Sequence, residues 1–400
     1  MRFPSFTDLD REQRAIYSGA PLGESILVMG PPGTGKTVMA FHRAERLKTM
    51  ATSKKAETAK PRVIMYNKVL ATYSSDRGDV AQGVPSSTMH SWVWHWYKRV
   101  AGRQPPNHPD DKYLHDWMTM LPVLLEKVES NPNRVHWGHL IIDEGQDFPE
   151  GMYQTLSAIS STFPPREEQG QYPPVVTVFA DDNQRLASTN STLQQIQDAL
   201  GLKGERVFSL KKNYRNNKQI AEFGRYFYVG LRSGIPDLPT KVGQSLPRVV
   251  LASSLEVVRR RIANYAINNP HMDIGVLCSA NSVRKQVYNS LNHRLAGTTS
   301  VVQTYAYADR QEHPPEDLVF DQGGSITVLN FQSAKGLEFD AVFIIDPFDG
   351  SAGASNELSR MQMYVMASRA RHYLEILLMN PPSDLEDRLP PKELYEKVEE

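Results

Sequence analysis

The stretch Gly-Pro-Pro-Gly-Thr-Gly-Lys-Thr, from Gly30 to Thr37, constrains the chain more than any other feature. An apolar run at residues 25–29 precedes it, and a helical pattern begins near Lys36. Glycines at such a turn let backbone N–H groups face phosphate oxygens, and the N-terminus of the following helix adds a positive dipole end. The sequence therefore predicts a phosphate-binding loop between a strand and a helix of an α/β fold.

The residue types in this loop indicate nucleoside-triphosphate chemistry. Lys36 would contact the outer phosphates of ATP, and the Thr37 hydroxyl would bind Mg²⁺. The other positions would hold the nucleotide through their backbone, namely Gly30, Pro31, Pro32, Gly33, Thr34 and Gly35.

A pair of carboxylates, Asp143 and Glu144, follows a second apolar run. Asp143 would hold Mg²⁺ through water, and Glu144 would orient and deprotonate the attacking water. Two adjacent carboxylates are commonly only a solvated turn. Because these come directly after an apolar strand and downstream of a phosphate loop, the pattern indicates ATP hydrolysis.

Short apolar runs alternate with helical patterns along most of the chain, which predicts parallel strands covered by helices on both faces. The predicted strands are residues 25–29, 62–66, 139–142, 175–180, 248–252, 274–279, 326–330, 341–346 and 374–379. Surface loops are predicted at residues 48–61, 161–174 and 309–324, and a peripheral helix or tail at residues 381–400. A second round of alternation begins near Arg206, which predicts domains at residues 1–206 and 207–400.

Composition excludes several classes of protein. With 45 basic and 45 acidic residues the net charge is zero, which excludes a uniformly basic coat for nucleic acid but not a local groove. No apolar run is long enough for a membrane span and the N-terminus lacks a signal-peptide core, so a cytoplasmic location is expected by default. The single cysteine, Cys278, lies in an apolar run and is predicted to be buried and inert.

The sequence Asp-Glu-Gly-Gln-Asp, from Asp143 to Asp147, resembles a motif of the UvrD/Rep-like branch of the superfamily 1 DNA helicases. Other stretches that resemble motifs of this family appear in the expected order from Gln13 to Arg371, so the resemblance covers nearly the whole chain. It implies two tandem RecA-like domains with parallel sheets and an ATP site in the cleft between them. An ordinary metabolic kinase would not need these further motifs.

The resemblance assigns roles to polar residues of the first domain. Gln13 is similar to the glutamine that reads adenine, and Gln184, in Ala-Asp-Asp-Asn-Gln, is similar to the sensor of the terminal phosphate. Residues 63–71 and the turn from Thr88 to Ser91 resemble segments that contact single-stranded DNA.

In the second domain the resemblance concerns three motifs. Asn-Tyr-Arg implies that Tyr214 lies against the adenine and that Arg215 contacts the γ-phosphate. Lys-Gly-Leu-Glu-Phe implies that Glu338 approaches the ribose, although Gln332 stands upstream of it where the family usually has a histidine. Arg369, in the last motif, is similar to a second arginine finger.

Two further stretches have two interpretations each. Residues 91–99 are the most aromatic stretch, and a ring there could stack on bases; the spacing of Trp92 and Trp96 favours packing of a helix against the core. The three arginines at residues 259–261 could bind phosphate, but a solvated helix face is the favoured interpretation.

Departures from the family pattern concern strand separation rather than hydrolysis. The interval between Arg215 and the predicted strand at residues 326–330 is too short for the accessory insertion of larger relatives. Residues 185–190 contain no aromatic side chain, whereas relatives have aromatic residues there that stack on DNA. The resemblance therefore implies a minimal form of the motor.

These motifs predict an ATP-dependent translocase or helicase on single-stranded DNA that hydrolyses ATP to ADP and phosphate. The 3′→5′ direction is implied by the family alone. Two alternatives stay open from the sequence. One is an ATPase switch, triggered by nucleic acid, that acts on a protein partner such as a nuclease in DNA repair or phage defence. The other is an RNA motor.

Overall fold

The structure is a computed structural model, and it describes residues 4–54, 60–66, 83–163, 173–184, 190–320, 322–348 and 357–400. The chain divides into two compact units. The first ends at Leu210, and the second begins at Lys211 and also includes the short stretch Pro31–Thr34. Each unit is built around a parallel sheet, which confirms the predicted α/β fold.

The strands of the first unit form one large parallel sheet and one small ribbon. Their bounds are β1 Ile26–Met29, β2 Pro61–Met65, β3 Ser86–Thr88, β4 Asn107–His108, β5 Asp111–His115, β6 His139–Ile142, β7 Val175–Ala180 and β8 Val207–Ser209. The large sheet has the order β3-β2-β6-β7-β1-β8, and β4 pairs with β5 in an antiparallel ribbon. Because the sheet is parallel, the carboxyl ends of β1, β6 and β7 lie at the same edge.

The helices of the first unit cover this sheet. Their bounds are α1 Arg11–Gly19, α2 Lys36–Lys54, α3 Met89–Ala101, α4 Trp117–Ser130, α5 Pro132–Val135, α6 Glu150–Thr162 and α7 Leu193–Ala199. Side-chain caps fix where several begin: the Asp10 carboxylate accepts from the Gln13 N–H, and the Thr88 hydroxyl accepts from the Ser91 N–H.

The aromatic stretch at residues 91–99 lies in α3. Trp92 and Trp96 are buried and their rings stack with centroids 5.0 Å apart, which confirms the interpretation that they pack in the core. Trp94 is only partly buried, and the Lys98 ammonium lies over its ring at 4.5 Å. One ring of the stretch is therefore accessible.

The second unit has a seven-stranded parallel sheet in the order β11-β12-β10-β13-β14-β9-β15. The strand bounds are β9 Arg248–Leu251, β10 Ile274–Cys278, β11 Val301–Tyr305, β12 Ser325–Asn330, β13 Phe339–Ile345, β14 Ala370–Leu378 and β15 Glu396–Glu399. The helix bounds are α8 Lys218–Arg225, α9 Leu255–Asn268, α10 Asn281–Arg294, α11 Glu357–Ala367 and α12 Leu385–Arg388. The elements from α8 to β11, which fill the interval between Arg215 and β12, belong to this one unit.

All nine predicted strands are present, each within a few residues of its expected bounds. Two other predictions were wrong in part. The loop predicted at residues 48–61 is helical as far as Lys54, and the predicted helix or tail at residues 381–400 contains α12 and an edge strand, β15. The strand Val207–Ser209 joins the first sheet, so the division between the units falls four residues after the expected boundary at residue 206.

Cys278 is fully buried at the end of β10, which confirms the predicted burial, and burial raises the pKa of its thiol to about 12. Of the three arginines in α9, Arg260 is exposed, as a solvated helix face requires, whereas Arg261 is partly buried and paired with Glu375 and Glu400, so the solvated interpretation is wrong for Arg261. Within the described ranges, no helix is long and apolar enough to cross a membrane.

Candidate functional site

The phosphate-binding loop follows β1, and β1 lies between β7 and β8 in the first sheet. Gly33 and Gly35 have φ angles of 82° and 81°, in the left-handed region that favours glycine. Helix α2 begins at Lys36, whose Nζ donates to the Gly30 carbonyl oxygen at 2.7 Å. Every residue from Gly30 to Thr37 is buried except Gly35, which is partly buried. The backbone therefore has the curled form that the glycine pattern predicts.

Thr37 and Asp143 lie against each other although they are far apart in sequence. The Thr37 hydroxyl donates to Asp143 Oδ2 at 2.7 Å, and the Asp143 side chain is fully buried. Burial and the neighbouring charge of Glu144 raise the pKa of the Asp143 carboxyl to about 7, against the opposing effects of Thr37 and Lys36. The second oxygen, Oδ1, is buried and has no hydrogen-bond partner.

This arrangement fits a divalent cation. A buried carboxylate oxygen without a partner next to a threonine hydroxyl is a suitable oxygen-donor pair for Mg²⁺, whose other ligands are commonly waters and phosphate oxygens. No group of three or more His, Cys, Asp or Glu side chains suited to a metal occurs in the part of the chain that the structure describes. The protein alone would thus supply few ligands.

Glu144 follows Asp143 and adopts a left-handed backbone conformation with φ 52°. The Gln146 side chain connects it to the next strand, because Nε2 donates to Glu144 Oε2 at 2.8 Å and Oε1 accepts from the Asp181 N–H at 2.9 Å. Gly145 has no room for a side chain, since a Cβ would lie 2.3 Å from Val178 Cγ1. The Gln146 amide therefore joins the Glu144 carboxylate to the backbone at the end of β7.

Gln184 and Asp181 lie at the end of β7. Gln184 Nε2 donates to Asp181 Oδ2 at 3.0 Å, and the same carboxylate oxygen lies 3.9 Å from Lys36 Nζ. Asp181 is fully buried. Its position beside the loop lysine was missed from the sequence, although it belongs to the same motif as Gln184.

Gln13 lies in the first turn of α1, where its side chain and the Asp10 carboxylate form a capping box. The residue is buried, and a Cβ added to Gly35 would lie only 2.7 Å from Gln13 Nε2. The structure therefore places Gln13 against the phosphate loop. The first unit gathers the predicted residues Gln13, Lys36, Thr37, Asp143, Glu144 and Gln184 at one edge of its sheet.

In the second unit Glu338 lies between two arginines. Its carboxylate accepts from Arg215 Nε and from Arg371 Nη2, each at 2.5 Å. Burial alone would raise the pKa of this carboxyl, but the two guanidinium groups hold it well below its usual range. The structure thus brings together Arg215 and Glu338, which come from different motifs. Arg371 was missed as their partner.

Arg369 and Tyr214 differ sharply in exposure. The Arg369 side chain is 1% exposed and donates to the carbonyl oxygens of Val365 at 3.0 Å and Leu337 at 3.3 Å. Tyr214 is 41% exposed, with the Lys212 ammonium 5.1 Å from its ring. The guanidinium of Arg369 thus joins the end of α11 to the turn that precedes β13.

The segments predicted to contact DNA are described only in part. Tyr66 follows β2 and is 54% exposed, and Thr88 caps α3 with His90 exposed beside it. Residues 67–71 of the first segment and residues 185–189 after Gln184 lie outside the described residues.

Two family models match the chain. An AAA domain matches residues 13–190, and a UvrD-like helicase C-terminal domain matches residues 325–377. The first range contains Lys36, Asp143 and Gln184, and the second contains Glu338 and Arg369. The chain belongs to superfamily 1 of the helicases.

Among individual relatives of this helicase, the putative ATP-dependent DNA helicase R568 of Acanthamoeba polyphaga mimivirus is 23% identical over 255 residues. The match covers 58% of this chain and 33% of the relative, so the chain spans about a third of the length of that protein.

The solved structures that are similar to this helicase include the following two. The C-terminal domain of a possible DNA helicase from Lactobacillus plantarum WCFS1 has a TM-score of 0.32 and 21% identity, and covers 46% of this chain and 98% of that one. The Pif1 helicase from Candida albicans has a TM-score of 0.47 and 12% identity, and covers 96% of this chain and 98% of that one.

Proposed function

We propose that this superfamily 1 helicase hydrolyses ATP to ADP and phosphate and uses the reaction to move along single-stranded DNA. The observation that carries the proposal is the contact between Thr37 and Asp143, which joins the phosphate loop to the end of β6 with one carboxylate oxygen left unpartnered. Lys36 and Glu144 are buried too, and the charges of both act on the pKa of the Asp143 carboxyl. A phosphate-binding lysine, an Mg²⁺-binding pair and a base are the parts that ATP hydrolysis needs.

Binding of the phosphates would begin at Lys36. Its Nζ donates to the Gly30 carbonyl oxygen and lies 3.9 Å from Asp181 Oδ2. When ATP binds, Nζ would donate to a phosphate oxygen instead of the carbonyl oxygen. Thr37 and Asp143 would hold Mg²⁺, which when bound would neutralise charge on the outer phosphates. The backbone N–H groups between Gly30 and Lys36 would complete the phosphate contacts.

Glu144 would act on the attacking water. The hydrogen bond from Gln146 Nε2 to Glu144 Oε2 would orient the carboxylate that accepts a proton from water. Gln184, tied to Asp181 at 3.0 Å, would report the presence of the terminal phosphate, as the resemblance implies. Gln13 would recognise the adenine beside Gly35.

The second unit would contribute Tyr214, Arg215, Glu338 and Arg369. Arg215 is paired with Glu338, so we propose that it exchanges this carboxylate for the γ-phosphate while Glu338 turns towards the ribose. Arg371 also donates to Glu338 and would keep that carboxylate ionised during the exchange. Arg369 would serve as the second arginine finger, for which it must give up its two backbone carbonyls.

Single-stranded DNA as the substrate is supported by the family and by the name of the mimivirus relative, a putative DNA helicase. The 3′→5′ direction rests on the resemblance. An ATPase assay with matched single-stranded DNA, single-stranded RNA and duplex tests the proposal. Stimulation by RNA but not DNA would favour an RNA motor. Stimulation by DNA without strand displacement, together with a stable complex with a nuclease, would favour a switch that acts on a protein partner.

A further inference from the structure

Three arginine side chains gather at the edge of the first sheet opposite the phosphate loop. Arg62 is the second residue of β2, and Arg134 lies in α5, which leads into the neighbouring strand β6. Helix α3 starts at the carboxyl end of β3 and returns along the sheet, so Arg99 in its last turn reaches the amino ends of the strands. There Arg99 Nη2 donates to the His136 carbonyl oxygen at 3.4 Å. We name these three residues the amino-edge arginine cluster.

Among the residues that the structure describes, no carboxylate balances the charges of this cluster. No acidic side chain within the described ranges pairs with Arg62, Arg99 or Arg134, whereas Arg215 and Arg261 each have carboxylate partners at 2.8 Å or less. Burial lowers the pKa of Arg62, and burial and the charges of Arg62 and Arg134 lower the pKa of Arg99. The cluster therefore brings three positive charges close enough to repel one another.

Helix dipoles explain part of this arrangement. Arg99 and Arg134 lie in the last turns of α3 and α5, where a cation is favourable. The dipole of α5 is small because the helix has four residues, and Arg62 lies in a strand. Dipoles therefore do not account for the position of Arg62 next to the other two.

We propose that the amino-edge arginine cluster binds the phosphate backbone of nucleic acid, as a second contact apart from the strand that the motor moves. Guanidinium groups bind phosphate through paired hydrogen bonds, and a cluster on one strand and two helices holds them at fixed spacing. The exposed face of α3 adds Lys98 and the partly buried ring of Trp94. A surface that combines basic and aromatic groups suits nucleic acid better than an acidic protein. The inference rests on the proposed function, since it assumes a nucleic-acid substrate.

The test is the salt dependence of binding in the double variant Arg99→Gln/Arg134→Gln. Arg62 is left unchanged because it is part of β2. Fluorescence anisotropy would give the affinity for a labelled single strand and for a labelled hairpin duplex at several salt concentrations. Loss of two phosphate contacts should reduce the slope of log K against log salt by about 1.8 for duplex or about 1.4 for single strand. With binding at 1 M salt unchanged, these slopes correspond to losses of about 60-fold and about 25-fold at 0.1 M salt.

The two nucleic acids distinguish the source of the phosphates, because the one that binds the cluster shows the reduced slope. The matched control is Arg259→Gln/Arg260→Gln in α9, which removes the same charge and should keep the wild-type slope. Arg99→Lys/Arg134→Lys should restore most of the slope, since the charge returns. Equal melting temperatures show that the variants fold.

If the double variant kept the wild-type slope of log K against log salt with both nucleic acids, as the control should, the inference would be overturned. The cluster would then be better explained as a contact for an acidic protein surface. This result is separate from failure of the proposed function. If single-stranded DNA does not stimulate the wild-type ATPase, the motor proposal fails, whereas the salt slopes still decide the cluster. If the inference holds, the double variant keeps its ATPase rate at saturating single-stranded DNA.

Discussion

The substitution Gln146→Ala tests how the chain holds its general base. Gln146 is fully buried and makes two hydrogen bonds, one to the Glu144 carboxylate at 2.8 Å and one from the Asp181 N–H at 2.9 Å. Alanine removes both. The Asp181 N–H then loses its acceptor inside the unit, and the Glu144 side chain loses the donor that directs it.

The expected cost follows from these two contacts. A buried N–H without a partner costs about 1–3 kcal/mol, and a hydrogen bond to a carboxylate contributes about 1.5–3 kcal/mol. Because the space left by the amide can admit a water, we expect the free energy of unfolding to fall by about 3 kcal/mol, near the lower end of the combined range. A misdirected base should lower kcat by about 10- to 100-fold, less than complete loss of general-base catalysis.

Denaturant titration and steady-state ATPase rates measure the two effects. The matched control is Gln154→Ala, which removes an exposed glutamine that donates to Glu150 within α6, and should change stability by less than about 0.5 kcal/mol. If Gln146→Ala kept both the stability and the kcat of the wild type, the reasoning that Gln146 positions Glu144 would be refuted.

The remaining predictions concern three residues of the proposed ATP site. Lys36→Ala should abolish hydrolysis without unfolding the chain, as measured by ATPase rate and circular dichroism; measurable turnover would contradict the phosphate-binding role. The raised pKa of Asp143 means that the folded state binds its proton more tightly than the unfolded state, so this group lowers stability as pH rises from about 4 to about 7. In nucleotide-free protein without Mg²⁺, Asp143→Asn should therefore raise the melting temperature at pH 8 more than at pH 4, and an equal shift would count against the raised pKa. Arg369→Ala should lower kcat strongly and, because the side chain is buried on two carbonyls, also lower the melting temperature, while DNA binding persists; an unchanged kcat would remove Arg369 from the proposed site.

The strands were predictable where burial on both faces requires a continuous apolar run. Strands β6 and β7 lie in the middle of the first sheet and are almost wholly buried. Their apolar runs are Leu-Ile-Ile before Asp143 and Val-Val-Thr-Val-Phe-Ala before Asp181. Edge strands carry no such signal. Ser86–Thr88 is polar, and Glu396–Glu399 has three charged residues and one valine. Each of these strands has a neighbouring strand on one side only.

The residues of the proposed site were predictable to the extent that they follow strands or belong to known motifs. Lys36, Asp143 and Gln184 come from separate motifs, and the parallel sheet brings the ends of their strands to one edge. Their partners were not predictable. The hydrogen bond from Gln146 to Glu144 and the ion pair between Arg371 and Glu338 depend on side-chain directions that only packing determines.

The central claim is that ATP hydrolysis is coupled to a nucleic-acid strand. The most direct measurement is the steady-state ATPase rate of the full chain against the concentration of single-stranded DNA, with Glu144→Gln as the inactive control. The account predicts a rate that rises and saturates with DNA and stays at background in the control. A rate that does not change with single-stranded DNA of any sequence or length would contradict it.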